Sequence, residues 1–203
     1  MTKHNQDEID HGFMELLQRF ESAVNATGSS VIGNLNPGAE PRYVRELLAQ
    51  IGMEPSTELV TWFNWHNGYD VASGAYDQLV SWRPHSIEAA IADWEWREHG
   101  TEPWEWAPTW LPIGVGGGMP RLAADCTPPQ GHDCTVMAVS PDAGLFSEPG
   151  RKTRTLAQAV QIWLEAVESG WFTWVQDEAR RGWALPSSWN DHPGLEYVRM
   201  GIL

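Results

Sequence analysis

The stretch TWLPIGVGGGMPRLAADC, residues 109–126, decides what kind of fold this chain adopts. Four glycines, Gly114 and 116–118, follow a short apolar segment and lead into the β-prone segment RLAADC. A phosphate-binding loop would carry a lysine and a hydroxyl residue directly after its glycines, but Met119 and Pro120 stand there. We therefore predict that the glycines take positive φ angles in a bend between two strands, and that no nucleotide binds to them.

More short strands are predicted on both sides of this bend. CTVMAVS and GLF follow RLAADC, and the segment TPPQGHD, with its prolines and glycine, connects RLAADC to CTVMAVS. QLVSW is predicted as another short strand ahead of the bend. Because these strands follow one another without strict alternation with helices, the sequence indicates an antiparallel rather than a parallel sheet.

Helices are predicted before and after the strands, from apolar residues that recur at helical spacing. They cover residues 8–24, the segment from Pro41 to Gly52, the segment from Ser56 to a left-handed stop at Asn67 and Gly68, and the segments that follow Ser86 and Thr155. WFTWVQDEARRGW, residues 171–183, is predicted as a further helix. The sequence therefore predicts a single-domain α+β fold, in which helices pack on a mainly antiparallel mixed β-sheet.

The chain is strongly acidic, since its 203 residues include 27 Asp and Glu against 13 Lys and Arg, a net charge of -14. Such a charge disfavours nucleic acid and anionic membranes as partners and favours a basic protein, although it also serves solubility alone. No apolar run approaches the roughly 18 residues of a membrane span. The polar segment MTKHNQDEIDHG does not resemble a secretory signal, so we expect a cytoplasmic protein.

Tryptophan is the other unusual feature of the composition. Of thirteen tryptophans, five lie between residues 94 and 110. The prolines of EPWEWAPTW exclude a regular helix, so some of these indoles are predicted to reach the surface beside carboxylates, where they suit protein contacts. We predict a partner-binding face formed by Asp93, Glu95, Glu102, Trp104, Glu105 and Trp106. The alternative is that these tryptophans pin an irregular loop to the core.

No catalytic, metal or cofactor site is predicted. Cys126, His132 and Cys134 lack the paired spacing of a zinc site, and the two cysteines are either free or joined by a disulfide bond. Acidic pairs such as Glu102 and Glu105 follow from the composition alone, and no serine lies in a G-x-S-x-G nucleophile elbow. A hydrolase with two facing carboxylates in a deep pocket stays an alternative.

Two segments in this order resemble motifs of the SUKH superfamily, also called the Smi/Knr cell-wall-assembly-regulator family. ELVTWFNWHNGYD is similar to the family pattern L-x-x-hydrophobic-Y-x-x-x-N-G, and WLPIGVGGGMPRLAADC is similar to W-hydrophobic-P-hydrophobic-G-x-x-G-x-x-hydrophobic-hydrophobic-x-D. The likeness covers residues 42–169. The matching residues, which we interpret on physical grounds as mainly structural, are Asn67, Gly68, Trp110, Pro112, Gly114 and Asp125.

The resemblance implies a SUKH-like core at residues 36–170. Residues 1–35 would then form an N-terminal helical extension and loop, and residues 171–203 a C-terminal helix and tail packed on the core. It also implies a non-enzymatic, protein-binding role, that of an immunity protein that neutralises a polymorphic toxin, often a nuclease, by occlusion. The alternative that the resemblance leaves open is a regulator of cell-wall assembly that binds a glycan or a signalling partner.

Overall fold

The fold combines helices at both ends of the chain with short strands between them. The computed structural model describes residues 8–70, 78–80, 82–98, 106–116, 121–127, 131–140, 144–145, 154–176 and 181–184. The α-helices are α1 (His11–Ala26), α2 (Pro41–Gln50), α3 (Thr57–Trp65), α4 (Ile87–Glu98) and α5 (Leu156–Glu168). The strands are β1 (Leu35–Pro37), β2 (His66–Tyr69), β3 (Trp82–Pro84), β4 (Trp110–Gly116), β5 (Arg121–Asp125), β6 (Thr135–Ser140), β7 (Gly144–Leu145), β8 (Arg154–Thr155), β9 (Thr173–Gln176) and β10 (Arg181–Ala184). The predicted α+β class is confirmed.

The helices begin where the capping residues place them. The Ser56 hydroxyl accepts the backbone N–H of Leu59, and Thr155 forms a reciprocal capping box with Gln158. The first helix begins three residues later than predicted, at His11, because the carboxylate of Asp10 caps it. These caps satisfy backbone N–H groups that would otherwise lack partners at the start of each helix.

The central sheet is antiparallel at every described pairing. Its strand order is β3-β4-β5-β6-β7, and β8 pairs with β6 as well. The predicted strands RLAADC and CTVMAVS pair with each other as β5 and β6, and GLF contributes β7. Two short antiparallel pairs, β1 with β2 and β9 with β10, lie outside this sheet.

The main core lies on one face of the central sheet, against α1, α3 and α5. The sheet contributes Leu122 and Val136, and α5 contributes a stripe of buried side chains: Leu156, Ala159, Val160, Trp163, Leu164 and Val167. Each fully buried large apolar side chain contributes about 1.5–3 kcal/mol to the stability of the folded state. The helix α1 packs on α5 and belongs to this core through Phe13, Leu17 and Phe20.

A smaller apolar cluster lies on the opposite face of the sheet. Ala123 of β5 and Val139 of β6 contact Trp106 there, with Trp94 and Trp110 at the margin. The helix α4 packs on β4. The side chains of successive strand residues point to opposite faces, so Leu122 and Ala123 enter different cores.

The pair Asn67-Gly68 does not end α3, contrary to the prediction. The helix ends at Trp65, His66 is already extended, and Asn67 and Gly68 belong to β2. Gly68 does take a positive φ of 72°, but the reason is a tertiary contact. A Cβ atom at this position would lie 2.1 Å from the backbone nitrogen of Ser86, so no other residue fits.

The segment WFTWVQDEARRGW is not helical in its described residues, contrary to the prediction. Thr173–Gln176 and Arg181–Ala184 form the antiparallel hairpin strands β9 and β10. Threonine, tryptophan and valine all favour strands, and the rings of Trp174 and Trp183 pack across the hairpin at a centroid distance of 5.5 Å. The buried ring of Phe172 anchors the start of the hairpin.

The glycines before β5 are also used differently from the prediction. Gly114 and Gly116 lie within the extended strand β4 rather than in a bend of positive φ, and residues 117–118 lie outside the described part. Gly114 has strand neighbours so close that a Cβ atom would lie 3.3 Å from the carbonyl oxygen of Arg83. The predicted strand QLVSW is displaced as well, because β3 begins only at Trp82 and Val80 takes a positive φ of 61°.

None of the helices in the described residues combines the length and apolar character that crossing a bilayer requires.

Candidate interaction surface

One side of α4 faces solvent and carries an exposed tryptophan. Trp96 is 59% exposed, and the residues that share its side of the helix are exposed too: Glu88, Ala89, Ala92 and Glu95. Their spacing places them within about 120° of the helix circumference. Tyr43 of α2, 41% exposed, lies beside the first turn of α4. These six residues are called the α4 face below.

The first turn of α4 is fixed by the segment around Asn67. The side-chain oxygen of Asn67 accepts the backbone N–H of Ile87 at 2.8 Å, and its side-chain nitrogen donates to Glu88 at 3.2 Å. The hydroxyl of Tyr43 donates to the other oxygen of Glu88 at 2.9 Å. Burial alone would raise the pKa of Glu88, but hydrogen bonds from its surroundings, including Tyr43 and Asn67, lower it. Glu88 therefore carries its charge in a defined position.

Asp93, at the edge of the α4 face, binds α4 to the sheet. The Nε atom of Arg121 donates to its carboxylate at 2.6 Å, Nε of Arg97 lies 3.2 Å from it, and Nε2 of His85 lies 3.4 Å from it. Burial would raise the pKa of Asp93, but His85 and the two guanidinium groups outweigh it and lower the pKa to about 2. Asp93, which the sequence analysis assigned to the partner-binding face, is engaged inside the protein.

Arg97 connects this ion-pair cluster to the exposed tryptophan. Its guanidinium carbon lies 5.5 Å from the ring centroid of Trp96 and 4.7 Å from that of Trp106, distances at which cation–π attraction operates. The side chain of Arg97 is only 8% exposed, and burial lowers its pKa. Trp96 is therefore exposed on one side and supported by a fixed guanidinium on the other.

The described part of the tryptophan-rich segment is pinned to the protein. Trp106 is 9% exposed, its indole N–H donates to the carbonyl of Trp110 at 2.9 Å, and the two rings pack edge to face at 5.9 Å. The indole N–H of Trp94 donates to the carbonyl of Pro108. Glu102, Trp104 and Glu105 of the predicted face lie outside the described residues. Glu95 is exposed on the α4 face.

The residues of the family motif make contacts within the scaffold. Trp110 and Pro112 belong to β4, with Pro112 buried and Trp110 half-buried at its start. The carboxylate of Asp125 accepts the backbone N–H of Thr127 at 2.9 Å and lies 3.5 Å from the hydroxyl of Thr109, which closes the turn at the end of β5.

Glu58 is a buried carboxylate that the sequence analysis did not single out. Its two oxygens accept the backbone N–H groups of Cys134, at 2.6 Å, and of Ala157, at 3.3 Å, so it joins α3 to the start of β6 and to the first turn of α5. Burial raises the pKa of Glu58, although these hydrogen bonds favour its charged form. The available signal was an acidic residue in the first turn of the helix that Ser56 caps, but its two partners are 76 and 99 residues away in the chain.

The two cysteines are free thiols in the core. Burial and the nearby Asp125 raise the pKa of Cys126 to about 12, and burial raises the pKa of Cys134 well above its ordinary value. A thiol in such surroundings is protonated at neutral pH and is not nucleophilic. Within the described residues, no group of three or more histidine, cysteine or acidic side chains is placed to hold a metal ion.

A groove of about 880 Å³ runs between α1 and α5. Arg19 and Glu168 face each other across it at 3.9 Å, and both side chains are exposed. Ala23, Ala26 and Val167 supply its apolar lining. Because Arg19 and Glu168 are exposed to water, their ion pair contributes little to stability.

The sequence does contain a signal for Trp96. Ile87, Ala90, Ile91 and Trp94 recur at helical spacing and mark one apolar side of the segment that follows Ser86, and Trp96, two positions beyond Trp94, points about 200° away from Trp94. Neither the protein-family models nor the curated proteins compared with this chain match it.

Proposed function

We propose that the chain is a non-enzymatic binding domain for a basic protein, and that it acts as an immunity protein that neutralises a toxin by covering its surface. The observation that carries this proposal is an outer surface whose negative charge is not balanced. Glu54, Glu95 and Glu98 are exposed and form no salt bridge with any described residue.

Five of the described arginine side chains, in contrast, bind other groups of the protein. Arg97 and Arg121 are bound to Asp93, and Arg45 is half-buried and donates to the carbonyl oxygen of Glu8. Arg19 and Arg42 pair with neighbouring glutamates. The full chain carries a net charge of -14, and a negative charge of this size would speed the approach of a basic partner.

The resemblance to the SUKH superfamily supports the same proposal. Bacterial members of that kind look like immunity proteins, and their action requires binding but no catalysis. Such a protein would work in the cytoplasm, where it would meet the toxin after entry or before export. The exposed Trp96 suits this role, because tryptophan is enriched among the residues that dominate binding energy at protein interfaces.

The test is to purify the basic protein encoded by the neighbouring reading frame, in an inactivated form, and to measure its binding to the full chain. At about 50 mM NaCl we expect a stable complex, and at about 500 mM an affinity at least about tenfold lower, because the attraction is screened. Co-expression should restore the growth of cells that carry the active toxin. A neighbouring frame that encodes no basic protein, or a complex insensitive to salt, would contradict the proposal.

A binder of a cell-wall glycan is the second candidate function, and the pairing of exposed Trp96 with the adjacent Glu95 favours it. Sugars stack on indole rings and donate hydrogen bonds to carboxylates. Because glycans such as chitin oligomers are uncharged, their binding would be nearly independent of salt. Titration of the chain with such an oligomer at the same two salt concentrations separates the two candidates.

A further inference from the structure

We propose that the α4 face is the docking site for a basic, amphipathic helix of the partner, with Trp96 as the anchor and with Glu88 and Glu95 as the groups that select its positive charges. This inference rests on the proposed function, since it assumes a basic protein partner. It adds which surface is used and which secondary structure the partner presents.

The two carboxylates of the α4 face set a spacing. Glu88 and Glu95 are seven residues apart on one side of α4, which corresponds to about 10.5 Å along its axis. A helix packed nearly parallel to α4 matches this distance when its own lysine or arginine residues are seven positions apart. Tyr43 and Asn67 already hold Glu88 in place, so little conformational freedom is lost when it binds a cation.

Only small side chains lie on the surface of α4 between the two carboxylates. Ala89 and Ala92 are exposed there, and their small side chains let another helix approach closely. Tyr43 borders this strip at the start of α4 and Trp96 borders it near the end. A partner helix would therefore place an apolar or small residue over the alanines and a larger apolar residue beside Trp96.

Trp96 has the properties of a pre-organised anchor. The buried guanidinium of Arg97 supports its ring, and Asp93 and Trp106 hold that guanidinium in turn. A large exposed side chain that is already ordered loses little entropy when a partner covers it. Asp93 balances the charge of Arg97, whose side chain is almost fully buried, so the approach of a basic helix is not opposed there.

The experiment uses the full chain and a synthetic helical peptide of roughly 18 residues, longer than the length at which isolated helices are marginal. The peptide carries lysines seven positions apart on one side, with alanine and leucine between them. Two control peptides replace these lysines with glutamates or move them to opposite sides of the helix. Binding is measured by calorimetry, and thermal unfolding confirms that each variant is folded.

We expect Trp96→Ala to weaken binding of the first peptide at least about tenfold and Trp96→Phe to weaken it less. The double variant Glu88→Gln with Glu95→Gln should weaken it by about tenfold and reduce its dependence on salt. The matched control, Glu15→Gln with Glu165→Gln, makes the same change in net charge at exposed positions outside the α4 face and should change affinity less than about threefold.

The outcomes separate this inference from the proposed function. If the chain binds the neighbouring basic protein but the α4-face variants bind both it and the peptide like the unmodified chain, the inference is wrong and the proposed function stands. Equal losses in the matched control would show unspecific charge attraction and would also overturn the inference. If Trp96→Ala abolishes self-association of the chain instead, the face joins two copies and the inference of a partner helix is wrong. If neither the basic protein nor the peptide binds, the proposed function itself fails.

Discussion

The substitution Asp93→Asn tests whether the carboxylate under α4 stabilises the fold rather than contacting a partner. The variant keeps the size of the side chain and removes the charge that Arg97, Arg121 and His85 surround. The pKa of Asp93 falls from the ordinary 3.8 to about 2 on folding. At 1.36 kcal/mol per pKa unit, this difference corresponds to about 2.5 kcal/mol of unfolding free energy.

The loss of stability caused by Asp93→Asn should become smaller as the pH falls. Because the pKa of Asp93 is lower in the folded state, its contribution is fully present above the unfolded value near 4 and is lost as the pH falls toward about 2. At pH of about 7, the asparagine of the variant would offer one side-chain oxygen in place of two and no negative charge, so Arg97 and Arg121 would lose their shared counter-charge and we expect a total loss of about 2.5–4 kcal/mol. At pH of about 3, the variant and the unmodified chain should differ by clearly less.

The measurement is urea unfolding followed by tryptophan fluorescence, at pH values of about 7, 5, 4 and 3. Glu95→Gln, an exposed acidic residue on the same helix, is the control and should change stability by less than about 0.5 kcal/mol. A difference between Asp93→Asn and the unmodified chain that stays constant from neutral to acidic pH would refute the reasoning. So would a loss no larger than that of the control.

Three further predictions concern the scaffold. Gly68→Ala should lower the free energy of unfolding, measured by thermal or urea denaturation, by more than about 3 kcal/mol, because the new Cβ atom would collide with the backbone just before α4. The control Gly28→Ala has a similarly positive φ but lies in open space, and it should lower the free energy of unfolding by only about 1 kcal/mol. Burial raises the pKa of Glu58 in the folded chain. The free energy of unfolding of the unmodified chain, compared with that of Glu58→Gln, should therefore fall as the pH rises above about 4.5. A difference that grows in favour of the unmodified chain over this range would contradict the reasoning. Cys126 and Cys134 should not react with a thiol reagent in the native chain and should both react in denaturant, whereas rapid native labelling would show that the core is open there.

The parts of the fold that could be predicted depend on contacts close in sequence. Ser56 caps α3 and Thr155 caps α5 through atoms three residues away, so the residue type and the apolar spacing after it were sufficient. The strands β5 and β6 were predicted for the same reason, since two β-prone segments stand close together in the sequence with only a short segment rich in proline between them. In each case the local preference and the tertiary structure agree.

The parts that were missed depend on distant contacts. Gly68 was interpreted as a helix stop, but the contact that requires glycine comes from Ser86, eighteen residues further along. The segment from Trp171 was interpreted as a helix, although the pairing of Trp174 with Trp183 makes it a hairpin. A pattern of apolar residues does not distinguish the two structures when the deciding contact lies across a turn.

The exposed residues of the α4 face could not be identified from the sequence either. The sequence placed acidic residues and tryptophans together but did not show which of them are exposed. Asp93 and Trp96 are three residues apart and therefore neighbours on the surface of α4, yet the side chain of Asp93 is 14% exposed and Trp96 is 59% exposed. Arg97 links the two residues, because it lies 3.2 Å from Asp93 and its guanidinium also supports the ring of Trp96. The stability of the scaffold and the order of the exposed indole therefore depend on the same guanidinium. For this reason, a loss of binding caused by a substitution at Asp93 would not identify a contact residue, whereas a loss caused by a substitution at Trp96 in a fully stable chain would.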